Sequence, residues 1–257
     1  MNVLVCVKRV PATGSRITLT DDALHIDTKF LGFTVSPHEE CAVEEAVRLM
    51  EAHGGTSVVL TLGPEAAVEQ LQDALAIGIE RAILLETDDD LSWDAGATAD
   101  AIVEAVRAEA AAGTTFDLLL FGNEAADSGD YQVGVRVAHA LGLPCVSGVK
   151  ALEVRGGSLV ARREIAGAAE TFEVALPAVV SVKEGINLPR FASVPGRIKA
   201  KKKEIARRSP QAPAPAVRTL RLRVPPEQRS EVHVLGQGPD AAPAVVDLLE
   251  QLGVAAR

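Results

Sequence analysis

The sequence predicts an α/β protein with a mostly parallel, doubly wound sheet, an antiparallel addition and an extended C-terminal tail. Three observations carry this expectation. Short, continuous apolar runs alternate with amphipathic helical stretches from Val3 to Leu141, as in a Rossmann-like domain. From Cys145 the pattern changes to closely spaced strand signals joined by Arg155-Gly-Gly157 and Gly167. Beyond Ser209 the chain becomes proline-rich and retains only short elements, too few for a core of their own.

The elements follow in order. Val3–Val7 reads as a strand buried on both faces. Ser36-Pro37-His38-Glu39-Glu40 has the marks of a helix start: a capping serine, proline at the first helical position, then acids in the first turn. That helix presents Ala42, Ala46, Leu49 and Met50 on one face and ends at Gly54-Gly55. Ser57–Leu62 is the next strand, followed after Gly63-Pro64 by a helix from about Glu65 to Ile77, which Gly78 closes. Ala82–Glu86, a helix over roughly Ala95–Ala112 and the strand Phe116–Phe121 complete the alternation. Cys145–Val149, Ser158–Ala161 and Thr171–Leu176 read as antiparallel strands, and Ala178–Val182 as one more buried strand. Residues beyond Lys183 read as irregular through Pro195-Gly196, and a last amphipathic helix is expected from about Pro239 to Leu252.

Composition excludes several function classes. A chain of 257 residues with 47% hydrophobic content can bury a large core. A net charge of −9 argues against general nucleic-acid binding, and 3% aromatic content against serial base stacking. Cys6, Cys41 and Cys145 lack metal or redox spacing, which fits a reducing compartment. No apolar run reaches the ~18 residues of a membrane span, and the first residues are too strand-like for a secretory signal, so a cytoplasmic location is expected. Asp88–Asp90 lacks the alternation and glycine of a calcium loop and reads as solvated; no metal site is expected.

The stretch most indicative of function is Gly122-Asn-Glu-Ala-Ala-Asp-Ser-Gly-Asp-Tyr-Gln-Val-Gly134. It leads from the Phe116 strand into a helix at Val133–Leu141. A polar, glycine-bearing strand-to-helix turn leaves backbone N–H groups pointing outward at a positive helix end, an arrangement suited to a nucleotide phosphate. Taken alone, such a turn reads first as an ordinary connecting loop.

Several segments, taken in their joint order and spacing, resemble the β subunit of electron transfer flavoproteins. They are Val5–Pro11, Ala42–Leu49, Ala74–Gly78, Gly122–Gly134, Leu141–Pro144, Leu176–Ser181 and Pro189–Lys203. The resemblance implies a non-enzymatic electron carrier with no catalytic residues, its domain over 1–205 and a tail, 206–257, packing on an α subunit. FAD would be shared with that α subunit, and AMP would be buried in this chain, or a second FAD in a bifurcating member. Nucleotide-binding positions carry over to Cys6, Ser36, Pro37, His38, Glu39, Leu62, Gly122, Asn123, Glu124, Ala125, Ala126, Asp127, Ser128, Gly129, Asp130, Tyr131, Gln132 and Val133. All lie at strand ends or helix starts. Electrons would arrive from dehydrogenases such as acyl-CoA dehydrogenases and leave to a quinone-linked oxidoreductase.

Phe191, Val194, Lys199, Lys201, Lys202 and Lys203 would dock those partners, Val194 standing where the family has an apolar, usually leucine, anchor. The alternative for the lysines is simply a solvated charge run. His38 is either a contact to the flavin edge or a surface residue of the first turn, and Cys6 and Cys145 read as core residues.

The chain departs from the family pattern at Ser36, usually Asn, and Glu124, commonly Gln. Gly129-Asp130 stands where Asp-Thr is frequent, and Ala12 where an acid follows Val-Pro. Asp130 would repel a phosphate by about 1 kcal/mol at 4 Å in water-like surroundings. The alternative reading is an adenine-nucleotide sensor or adenylate-using enzyme on a similar fold, against which stands the absence of a G-x-x-x-x-G-K-[S/T] loop or an evident nucleophile–base pair.

Overall fold

The computed structural model describes the chain except residues 13, 15, 89–92, 212–216, 218, 227–231 and 255–257. Asp89 and Asp90 of the acidic triplet, and part of the proline-rich link, lie outside the described residues. The described chain divides into two compact units, Met1–Leu222 and Arg223–Arg257.

Five buried strands form the centre of the first unit: β1 (Asn2–Cys6), β4 (Thr56–Gly63), β5 (Arg81–Glu86), β6 (Leu118–Gly122) and β10 (Ala178–Val182). Two further strands, β2 (Val10–Pro11) and β3 (Phe33–Thr34), make a small antiparallel pair apart from the main sheet. β7 (Cys145–Arg155), β8 (Ser158–Ile165) and β9 (Ala168–Ala175) extend one side, and β11 (Ile205–Arg208) closes the other. The strand order is β11-β5-β4-β1-β6-β10-β7-β8-β9, with all pairs parallel except β7–β8 and β8–β9. The antiparallel addition is therefore where the glycine pairs place it: Gly156 and Gly157 turn the β7–β8 hairpin with φ of 50° and 94°.

Alternate residues of the central strands feed two cores, because successive side chains point to opposite faces. Val3, Val5, Val59, Leu84, Leu118, Leu120 and Val180 pack under α1 (Pro37–His53) and α2 (Val68–Ile77). Leu4, Val58, Leu60, Ile83, Leu85, Leu119 and Val179 pack under α3 (Ala95–Ala111) and α4 (Val133–Leu141). A sheet covered on both faces explains why its strands read as unbroken apolar runs. Cys6 is buried in the second core, while Cys145 is only partly buried against it.

Besides the short β2–β3 pair, which the sequence does not announce, two elements differ from the sequence expectation. Residues read as irregular around Pro195-Gly196 form the helix α5 (Val194–Ala200), capped by Ser193, whose hydroxyl oxygen accepts from the Gly196 N–H at 3.1 Å. Its serine–proline start repeats the Ser36-Pro37 signal of α1. β11 was not expected; it pairs with β5 at the sheet edge, where Arg207 and Arg208 keep it from reading as a strand.

In the second unit, a 3-10 turn at Gly238–Ala241 leads into α6 (Ala242–Gln251). No residue of α6 is buried, and Val245, Val246, Leu248 and Leu249 are exposed.

Candidate functional site

β1 and β6 lie side by side, yet the strands that follow them run outward on opposite sides, β4 and β5 on one and β10 on the other. Such a reversal opens a crevice beyond the carboxyl ends of the two strands, because the helices that return the chain cover opposite faces. The cleft found there is lined by Cys6, Val7 and Lys8 after β1 and by the turn after β6. Leu60 and Leu62 of β4 and Trp93, Ala95, Thr98 and Ile102 at the start of α3 complete its walls.

The turn is shaped for the backbone to face a ligand. Gly129 and Tyr131 both adopt left-handed backbone, φ 58° and 57°, a conformation that is strained for tyrosine. The side chain of Gln132, the N-cap of α4, makes no capping hydrogen bond. The Gln132 side-chain oxygen accepts instead from Arg136, at 3.2 Å from Nε and 3.0 Å from Nη2. The first N–H groups of α4 are thus left for another acceptor, at the positive end of the helix dipole.

Beneath the cleft, α1 begins with a capping box. The Ser36 hydroxyl oxygen accepts from the Glu39 N–H at 3.3 Å, and the Ser36 N–H donates to Glu39 Oε2 at 3.0 Å. The other carboxylate oxygen accepts from the Lys8 N–H at 3.0 Å, so Glu39 fastens the end of β1 to the start of α1. Burial pushes the Glu39 carboxyl up to about 8, against the pull of those two donors and of the Lys8 charge.

The Ser36 hydroxyl also donates to the Glu124 carbonyl at 3.1 Å. His38 Nδ1 accepts from the Glu184 N–H at 2.7 Å, which makes Nε2 the protonated nitrogen of the neutral ring, donating to Glu124 Oε1 at 3.2 Å. Lys8 Nζ donates to Asp127 at 2.8 Å.

Because Glu39 is held protonated by its surroundings and ionises freely when unfolded, its contribution to stability is present at low pH. It is lost as pH rises through about 8. At about 1.4 kcal/mol per pKa unit, stability should fall by about 2 kcal/mol from pH 6 to pH 8. Chemical denaturation at both pH values should show this fall in the wild type and not in Glu39→Gln.

The structure gathers most of the expected nucleotide positions around one cleft. Cys6, Glu39, Leu62, Gly122, Asn123, Glu124, Ala125, Ser128, Asp130, Tyr131, Gln132 and Val133 line it. Ser36, Pro37, His38, Ala126, Asp127 and Gly129 do not. Ser36, His38 and Asp127 instead brace its floor and loop by the bonds above, Pro37 starts α1, Gly129 supplies a left-handed turn and Ala126 is exposed. Lys8, Trp93, Thr98 and Ile102 were not singled out from the sequence, since an isolated residue in a turn or helix start carries no pattern.

The expected docking residues lie on a separate surface. Leu188, Phe191 and Val194 are 90%, 98% and 72% exposed. Lys199, Lys201 and Lys202 are exposed, whereas Lys203 donates to the Ile79 carbonyl at 2.7 Å and burial lowers its pKa. Arg190, also unmarked in the sequence reading, clamps this segment to α1. Its Nε and Nη2 each lie 2.9 Å from a Glu44 oxygen, and Nη1 lies 2.6 Å from Glu51.

A sequence model of the electron transfer flavoprotein domain matches residues 24–213. The chain belongs to the electron transfer flavoprotein family. Its family relatives include the electron transfer flavoprotein subunit beta of Bacillus subtilis, 32% identical over 257 residues and covering 97% of each chain. That of Syntrophomonas wolfei is 35% identical over 235 residues, 91% of this chain and 90% of the relative. That of Mycobacterium leprae is 37% identical over 209 residues, 79% of this chain and 77% of the relative. The family match spans the cleft loop, α5 and β11. Among the described residues of this family member, no helix is long and apolar enough to cross a membrane, and no group of three or more His, Cys, Asp or Glu side chains is placed to hold a metal.

Proposed function

We propose that the chain is the β subunit of an electron transfer flavoprotein and works as a cytoplasmic electron carrier, converting no substrate itself. With an α subunit it holds FAD, which supplies the electron-accepting and electron-releasing chemistry. Electrons arrive from dehydrogenases, acyl-CoA dehydrogenases among them, and leave to a quinone-linked oxidoreductase. The carrying observation is the cleft at the strand reversal, with an uncapped α4 N-terminus on one side and the apolar Leu60, Leu62 and Ile102 on another.

That chemistry fits an adenine nucleotide: N–H groups and dipole for the phosphate, apolar walls for the base. AMP is the assignment favoured here, with the phosphate at Gln132 and Val133. Glu39, held largely neutral below its raised pKa, adds little repulsion there, which leaves Glu124 and Asp130 as the acids to be tolerated. Chromatography of the denatured protein should release an adenine nucleotide; its absence would count against the assignment.

The tail, 206–257, is proposed to lie on the α subunit. The uncovered apolar side chains of α6 support this, since such a face is stable only against another surface. Phe191 and Val194 are proposed as the apolar anchors for dehydrogenases, with Lys199, Lys201 and Lys202 raising the encounter rate. Lys203 has its amine engaged at Ile79, so its part is to seat the segment.

Val194→Ala should slow reduction by a partner dehydrogenase about tenfold, or ~1.4 kcal/mol of docking energy, with flavin absorbance unchanged. Stopped-flow reduction at subsaturating partner, proceeding at the wild-type rate, would remove Val194 from the docking surface.

A further inference from the structure

We propose that Trp93 forms the base-side wall of the cleft, stacking on the purine of the bound adenylate, and so selects a nucleotide over a bare sugar phosphate. The inference rests on the adenylate reading above and adds a residue to it. Trp93 is the only tryptophan of the chain. It stands immediately before Asp94, the N-cap of α3, whose carboxylate accepts from the Ala97 N–H at 2.8 Å and fixes the entrance to that helix. It packs against the core that contains Leu60 and Ile102, and with those two residues and Leu62 it borders the cleft.

An indole supported from behind by core residues and bordering a cleft is a rigid stacking surface, since its orientation is fixed before the ligand arrives. Every base offers a π-face to such a surface. Among the described residues, the buried indole N–H has no hydrogen-bond partner, so the ring is positioned by packing.

The full-length chain, freed of nucleotide, is titrated with AMP while binding is measured by equilibrium dialysis and Trp93 emission is recorded. Emission should be quenched with the same midpoint as dialysis gives. Trp93→Ala should weaken AMP binding by about tenfold to a hundredfold, as loss of one base-stacking contact does, and leave the affinity for ribose 5-phosphate unchanged. Trp93→Phe should restore most of the AMP affinity. AMP binding by dialysis with unaltered emission would overturn the proposal. So would an equal loss of AMP and ribose 5-phosphate in Trp93→Ala, which marks a structural role. If the wild-type chain binds no AMP by dialysis, the adenylate reading itself fails, and this inference with it.

Discussion

Gly122→Ala should destabilise the protein by about 3 kcal/mol and release the adenine nucleotide proposed for the cleft. A Cβ at this position would stand 2.6 Å from Glu39 Cγ, 3.0 Å from the Glu39 backbone nitrogen and 3.2 Å from His38 Cβ. None of these can retreat cheaply. Glu39 is buried with its two oxygens held by the Ser36 and Lys8 N–H groups, and its nitrogen belongs to the capped first turn of α1. Overpacking against fixed backbone typically costs 1–3 kcal/mol, and this site lies at the upper end. The end of β6 and the start of α1 must separate, which displaces the loop that carries the cleft. Thermal or chemical denaturation, with chromatography of the retained nucleotide, should show both losses together. A variant of wild-type stability that still carries nucleotide would mean that β6 and α1 are less tightly joined than this geometry requires.

Arg190→Ala should cost about 3 kcal/mol, because it strands the buried carboxylate of Glu44. The Glu44 side chain is 5% exposed and receives a two-pronged contact from the guanidinium, whereas Glu51, on the far side, is largely in water. Breaking a buried pair by removing one partner typically costs 3–5 kcal/mol; the partial exposure of Arg190 places this case at the low end. Replacing both members should be far milder, so Glu44→Leu with Arg190→Leu is expected to recover most of the stability. The single variant should also loosen Leu188–Phe191 and slow reduction by a partner dehydrogenase. Equal instability of the single and double variants would show that packing, rather than an unpaired charge, is at stake.

Much of the fold was legible because its central strands are buried on both faces and its helices carry strong end signals. Ser36-Pro37 marks the start of α1 and Gly54 its end; Gly78 likewise closes α2. The same serine–proline logic marks α5 at Ser193 and Pro195, but there the surrounding prolines and glycine suggested only irregular chain. β11 was illegible for another reason: a four-residue edge strand with two arginines has neither alternation nor an apolar run.

In the candidate site, the structure brings to one cleft most of the positions that local pattern and family resemblance mark. What could not be read were the pairings across long stretches of chain. Arg190 meets the Glu44 carboxylate across 146 positions, and His38 accepts from the Glu184 backbone N–H across the same separation, yet neither residue has a local signal that chooses its partner. Trp93 is illegible in the same way, since a single aromatic at a helix entrance has no periodicity.

The most direct test is co-expression of the chain with an electron transfer flavoprotein α subunit, followed by purification through a tag on this chain alone. The account predicts a two-chain complex with a visible flavin spectrum, bleached on addition of a reduced partner dehydrogenase, and an adenine nucleotide released on denaturation in addition to the FAD. A chain that purifies without a second subunit and without flavin absorbance would contradict it.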